Sequence, residues 1–439
     1  MNIIIIGGGW AGLAAATELT RNKHNVVVYE AARQLGGRAR AVSLNGINID
    51  NGQHILIGAY RAILDLLTLY KVDESSVFRR LPLRLKLWRS PARRRTVELK
   101  AWPLPAPLHL TFGLLGMKGM RWRDKIGIIR ALLHMRHTGF YVEEDQPLQT
   151  YLHYLKQSDD AIQCLWEPLC ISILNTPIEH ASTRLFLRVI HDSFFSSKPD
   201  SDLLLPIVDL GKCLPAHATD YIERHGNSVR LGTRIARLHV ENNRVTGVDD
   251  GKQIINADHV IVAAAPEAAA RLLQTVPNTT RLCQQISKLE SLPITTVYLK
   301  YSQTVNLPDD FIGIVDGHSQ WFFDRGRLTG DKGIIAVVIS GPGSHMAMEP
   351  DALGEHIKTE LSGYFPQWPD PESIKVIREK RATMNTRAGV NDLRPGNDVL
   401  IDGLWLAGDY TNTGYPSTLE GAVRSGIRCA TMIMENNKS

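Results

Sequence analysis

Short apolar runs mark out the chain. Residues 3–6 and 25–29 are β-branched and almost free of polar side chains, the pattern of strands buried on both faces. Residues 13–20 between them are alanine-rich and predict a helix. Residues 259–266 and 405–409 repeat the buried-strand pattern, each closing on small residues. Residues 41–50 alternate loosely around Asn45-Gly46 and predict a hairpin. Residues 228–238, 240–249 and 253–257 predict three short strands. Residues 292–301, 311–315, 320–325, 333–341 and 373–384 predict a second sheet, with a helix over 350–365. Helical periodicity predicts helices over 60–70, 147–156, 161–175, 182–195 and 214–224.

Length and composition narrow this pattern. A chain of 439 residues exceeds one simple core, and 44% hydrophobic with 22% charged residues is ordinary globular composition. The five cysteines are scattered and form no Cys-x-x-Cys pair, which predicts neither a disulfide framework nor a zinc site and fits a reducing, cytoplasmic compartment. The apolar N-terminal run lacks a basic n-region and is not expected to act as a signal peptide, and no apolar run is long enough for a membrane-spanning helix.

Charge is unevenly spread. Residues 79–136 hold fifteen Lys/Arg against Glu98 and Asp124, a local +13 in a chain of net charge +5. Arginines alternate with leucines at 79–88, in a strand-like pattern. Residues 108–135 mix leucine, isoleucine, methionine and Trp122 with Lys118, Arg121, Arg123, Lys125 and Arg130. Two readings stand: peripheral contact with a membrane face, or a solvated basic face on ordinary core helices. No nucleic-acid-binding motif accompanies the charge, so nucleic acid is not an expected partner.

The candidate chemistry begins at Gly7-Gly8-Gly9-Trp10-Ala11-Gly12, a G-x-G-x-x-G between the first strand and helix. Gly7 permits the tight turn, Gly9 a close approach to a pyrophosphate, and Gly12 close packing of helix on strand. The helix N-terminus offers its free amides to phosphate. Glu30 ends the second strand, followed by Ala31, and can accept hydrogen bonds from both hydroxyls of an adenosine ribose; its charge disfavours a 2′-phosphate. Gly36-Gly37-Arg38 adds an open backbone and a fixed cation. The cluster Asp50-Asn51-Gly52-Gln53-His54 suits backbone close to a ligand. Gly408-Asp409 ends an apolar strand, and Thr418, Leu419 and Ala422 open the last helix. His54, Glu167, Asp209 and Tyr415 are candidate proton donors.

These motifs resemble the glutathione-reductase-like flavoproteins of the amine oxidase and phytoene desaturase superfamily. The resemblance implies an α/β fold: a Rossmann FAD-binding domain formed by 1–75, 214–285 and 385–439, and an α+β substrate domain formed by 76–213 and 286–384. It implies non-covalent FAD, there being no cysteine between Cys283 and Cys429. It places Gly7, Gly9, Trp10, Ala11, Gly12, Glu30, Ala31, Gly36, Gly37, Arg38, Gly52, Gln53, His54, Ile235, Gly408, Asp409, Thr418, Leu419 and Ala422 at the cofactor. Together with Leu174-Asn175-Thr176-Pro177 and Gly408 to Pro416, the segments are similar to the hydroxysqualene dehydroxylases of bacterial hopanoid synthesis, from end to end. That similarity implies a long-chain isoprenoid substrate, with hydroxysqualene reduced to squalene by hydride from reduced flavin. A carotenoid-type desaturase and a flavin-bound, non-catalytic polyprenoid carrier are the alternatives. The single dinucleotide fingerprint goes to FAD, and the electron donor stays unidentified.

Overall fold

The structure is a computed structural model and describes residues 1–44, 46–89, 96–302 and 305–436. A five-stranded parallel sheet carries the N-terminus, in the order Ser228–Arg230, Asn25–Tyr29, Asn2–Ile6, His259–Val262 and Leu404–Leu406. Ile3 and Ile5 face one apolar layer and Ile4 and Ile6 the other, so the unbroken apolar run follows from burial on both faces. Helices Trp10–Arg21 and Leu419–Asn436 pack together over one face. Their approach is close: a Cβ on Gly426 would lie 2.1 Å from the Ala11 carbonyl oxygen.

The second large sheet has seven strands, in the order Ser373–Met384, Ser291–Lys300, Ile334–Ser340, Trp321–Asp324, Phe311–Ile314, Arg84–Trp88 and Thr96–Lys100. Strand period explains its two apolar faces. Val297 and Leu299 pack with Leu353, Ile357 and Leu361 of helix Pro350–Tyr364, while Tyr298 points to the opposite core.

Three expectations change. Residues 228–238 are not one strand: Ser228–Arg230 joins the parallel sheet, the chain turns through Gly232 at φ +66°, and Arg237–Glu241 begins a three-stranded meander. Residues 79–88 divide at Pro82, which lacks an amide; Phe78–Leu81 pairs with Leu203–Pro206, and Arg84–Trp88 joins the large sheet. The helix over 161–175 opens as a π-turn at Ile162–Trp166 before Glu167–Leu174, where Pro168 removes an amide from the α-ladder. The hairpin Ala41–Leu44/Ile47–Asp50 forms as expected, and Asn45 of its turn lies outside the described residues.

The basic segment also divides. Over 79–89 it is matched by acids from elsewhere: Arg79 with Asp310, Arg80 with Glu74 and Asp202, Lys86 with Asp309, and Arg89 with Asp160. Arg84 bridges Glu98 and Asp309. This stretch is therefore not a free basic face. Arg93, Arg94 and Arg95 lie outside the described residues. Among the described residues, no helix is long and apolar enough to cross a membrane, and all five cysteines are buried free thiols.

Candidate functional site

The glycine motifs meet at the end of the parallel sheet. Gly36 donates its amide to the Gly8 carbonyl at 3.0 Å, and Gly9 pairs with Gly36 as a parallel bridge. Gly7 has φ +117°, and a Cβ on Gly12 would lie 2.0 Å from the Gly7 carbonyl oxygen. A Cβ on Gly9 would meet only the Gly37 Cα, at 3.9 Å, so the glycines keep open a trough between the two loops. Helix Trp10–Arg21 ends at this trough with no acidic residue in its first turn, leaving the amide dipoles uncompensated for an anion. Glu30 is held in place by the amides of Gly8 and Ala32, each at 2.7 Å.

A cavity of about 700 Å³ runs along this trough. It is lined by Gly7, Gly9, Trp10, Ala11, Glu30, Ala31, Gly36, Gly37 and Arg38 on one side. Gly52, Gln53, His54, Ile235, Gly408, Asp409, Thr418, Leu419 and Ala422 line it elsewhere. Gly12 lies behind the lining, where it lets the helix pack. Segments hundreds of residues apart in sequence thus converge on one cleft.

Polar contacts fix the cleft. Arg38 forms an ion pair with Asp409, which also accepts a hydrogen bond from the Ser417 hydroxyl. Asn51 donates to Glu379 at 2.9 Å. The buried Arg394 holds the loop after Asp409, donating to the carbonyls of Asp409 and Tyr415 at 3.0 and 2.6 Å. Glu420 turns away from the cleft and accepts the amides of Ala62 and Ile63, capping helix Arg61–Leu69. Behind the 50–54 segment, burial pushes the Asp50 carboxyl up to about 7, against the Leu210 amide and Arg325, which both favour its charge.

Of the four proton-donor candidates, only His54 lines this cleft. Its Nδ1 faces the Gly52 carbonyl and burial lowers its pKa, so the neutral ring carries its proton on Nδ1 and presents an unprotonated Nε2. Glu167 is exposed at the start of its helix. Asp209 caps helix Leu210–Cys213 through the Lys212 amide and pairs with the Lys212 side chain. Tyr415 is fully buried, its ring 4.2 Å from the Arg424 guanidinium. These three serve helix ends and packing rather than the cleft. Glu379 and Arg394 were not singled out from the sequence; each is a polar residue outside the motifs, whose partners lie elsewhere along the chain.

A second, apolar cavity of about 110 Å³ adjoins the first. The two share Ile55, Tyr60, Ser172, Ile173 and Trp321. Leu83, Leu85, Leu87, Val97, Leu99, Leu165 and Leu169 form much of its wall.

The family model for flavin-containing amine oxidoreductases matches residues 10–434. The chain belongs to that family. It is an FAD-dependent oxidoreductase, and the glycine-lined trough with Glu30 and Arg38 suits that cofactor. Among its relatives, a hydroxysqualene dehydroxylase of Rhodopseudomonas palustris is 27% identical over 98% of this chain and 97% of its own. A 15-cis-phytoene desaturase of Glycine max is 23% identical over 100% of this chain and 80% of its own. The crystal structure of an oxidoreductase from Methanosarcina mazei superposes on this flavoprotein with TM-score 0.79 at 15% identity, covering 99% of this chain and 100% of the other. That likeness establishes the fold.

Proposed function

We propose that this flavoprotein reduces hydroxysqualene to squalene with loss of water. The observation that carries the reading is the apolar cavity opening off the cofactor cleft. Its wall is mostly aliphatic, the surroundings a hydrocarbon chain needs and a charged amine does not. The full-length similarity to a hydroxysqualene dehydroxylase supports this reaction within that substrate class. At about 110 Å³ the cavity holds only part of a C30 chain, so the remainder runs through the wall shared with the cleft or the leucines move apart on entry. We assign the cofactor-lining residues above to FAD, and divide the chain into a cofactor domain of 1–75, 214–285 and 385–439 and a substrate domain of 76–213 and 286–384.

The hydroxyl of the substrate is allylic. Protonating it and expelling water would leave a delocalised cation, and reduced FAD, when bound, would supply the hydride and the proton that balance the loss of water. The apolar wall excludes bulk water from that cation. His54 sits at the cleft with Nε2 free to accept the substrate hydroxyl; it delivers a proton only as imidazolium, which burial disfavours.

Peripheral membrane contact is proposed for the helical part of the basic segment alone. Trp102, Leu108, Phe112 and Trp122 are 50%, 48%, 40% and 61% exposed. Arg121 and Arg123 stand exposed beside them. Aromatic and aliphatic side chains interleaved with arginine suit the interface of an anionic membrane that stores the lipid substrate.

The test is anaerobic. Photoreduced enzyme mixed with hydroxysqualene should return to the oxidised flavin spectrum with one squalene formed per flavin. Hydroxysqualene recovered intact over reduced flavin sinks the proposal. The relative that is a phytoene desaturase favours one rival, hydride transfer out of a polyene precursor, which oxidised enzyme would then reveal.

A further inference from the structure

We propose that His318, His356 and Glu360 form a binding site for a divalent first-row transition metal of the zinc class. His356 and Glu360 stand one turn apart on helix Pro350–Tyr364, so they share a face. His318 comes from the turn between strands Phe311–Ile314 and Trp321–Asp324. One ligand atom from each lies within 4.8 Å of the others. His356 Nε2 is 3.0 Å from His318 Nδ1. That separation is what two nitrogens about 2.0–2.1 Å from one ion require when they subtend roughly a right angle to a tetrahedral one.

The ligands are already oriented by their neighbours. The Ser319 hydroxyl and amide donate to one Glu360 oxygen at 2.9 and 3.2 Å, holding the carboxylate toward the histidines. The Ser344 hydroxyl lies 3.3 Å from His318 Nε2, the ring nitrogen that does not face His356. Outer contacts of this kind set the tautomer and direction of a metal-binding imidazole. His318 is exposed while His356 and Glu360 are half-buried, which leaves an entry path and an open position for water. Two imidazoles with one carboxylate suit zinc, nickel, cobalt or copper, whereas magnesium and calcium favour all-oxygen sets.

None of the three residues lines the cofactor cleft or the apolar cavity. A bound ion instead ties the helix to the turn that leads into Trp321, a residue lining both. The site is therefore a staple in the roof of the substrate region, independent of the reaction assigned above.

Flavin-loaded full-length protein, stripped with chelator and titrated calorimetrically with zinc chloride, should bind one saturable equivalent. His356→Ala and Glu360→Gln should each weaken binding at least about tenfold. Zinc should raise the melting temperature of the parent and leave that of each variant unmoved. An unchanged flavin spectrum reports that a variant is folded; if His356→Ala fails this check, the exposed His318→Asn replaces it. Absence of saturable binding overturns the proposal. So does binding that these variants leave unchanged, since it would belong to others of the fifteen histidines.

Discussion

The cofactor cleft and the apolar cavity share a wall and are built by opposite means. The cleft is made of backbone: glycines with positive φ, a helix end, and carboxylates held by amides. The cavity is made of side chains from strands and helices far apart in sequence, and its boundary is the space those leucines fail to fill. A backbone site has little tolerance for added atoms, because every neighbour is itself tied into secondary structure. A side-chain cavity tolerates change in one residue by shifting another.

The sharpest break in this comparison comes at Gly12. Gly12→Val places branched carbon where a Cβ already stands 2.0 Å from the Gly7 carbonyl oxygen. The helix must move off the strand, and the expected result is purified protein with little bound flavin, read from its visible absorbance. Retention of a full equivalent would mean that the close packing is not what builds the cleft.

In the cavity the corresponding change is Leu169→Trp, which fills apolar space without touching the cleft lining. Flavin content should stay at the parent level while turnover of the C30 substrate falls at least about tenfold, an effect of roughly 1.4 kcal/mol on the barrier. Equal loss of flavin and turnover would show that the two regions do not separate.

Asp50 tests the polar support behind the cleft. Burial raises its carboxyl to about 7, above the usual carboxylate value, so the neutral form is favoured by folding. Its stabilising contribution is complete below about pH 4 and declines as pH rises through about 7, by at most about 4 kcal/mol. Asp50→Asn keeps an oxygen for the Leu210 amide and should flatten stability between pH 4 and 8 in denaturant titrations. A parent whose stability does not fall over that range would place the carboxylate in a more polar setting than described.

The smallest effect is expected at Ser193, on the cavity wall, whose buried hydroxyl has no hydrogen-bond partner among the described residues. Ser193→Ala should stabilise the protein by up to about 1 kcal/mol and leave turnover unchanged. A fall in turnover would assign this hydroxyl to the substrate instead.

What could be read along the chain follows the same divide. The strand–turn–helix unit, Glu30, the glycines at 36–37 and the Gly408-Asp409 turn were legible because each is local: a few adjacent residues determine a backbone shape, and that shape lines the cleft. Of the residues expected at the cofactor, only Gly12 lies off the lining, and the packing role read for it needs no such place. The proton-donor candidates fared otherwise. Glu167, Asp209 and Tyr415 have suitable side chains, and only packing decides that one faces solvent, one caps a helix and one stacks on Arg424. The two readings of the basic segment could not be separated along the chain for the same reason, since several of the acids that pair with residues 79–89, such as Asp309, Asp310 and Asp160, come from distant segments.

The amino-acid order by itself therefore determined the N-terminal strand–glycine-turn–helix unit, the class of cofactor and the existence of a second sheet, because glycine turns and strand periodicity act over a few residues. The tertiary structure alone decided which arginines pair with distant acids, which polar groups meet behind the cleft, and that an apolar cavity opens beside it. Those features depend on contacts between residues tens to hundreds of positions apart, where burial and pairing set the energy and local pattern carries no record of the partner.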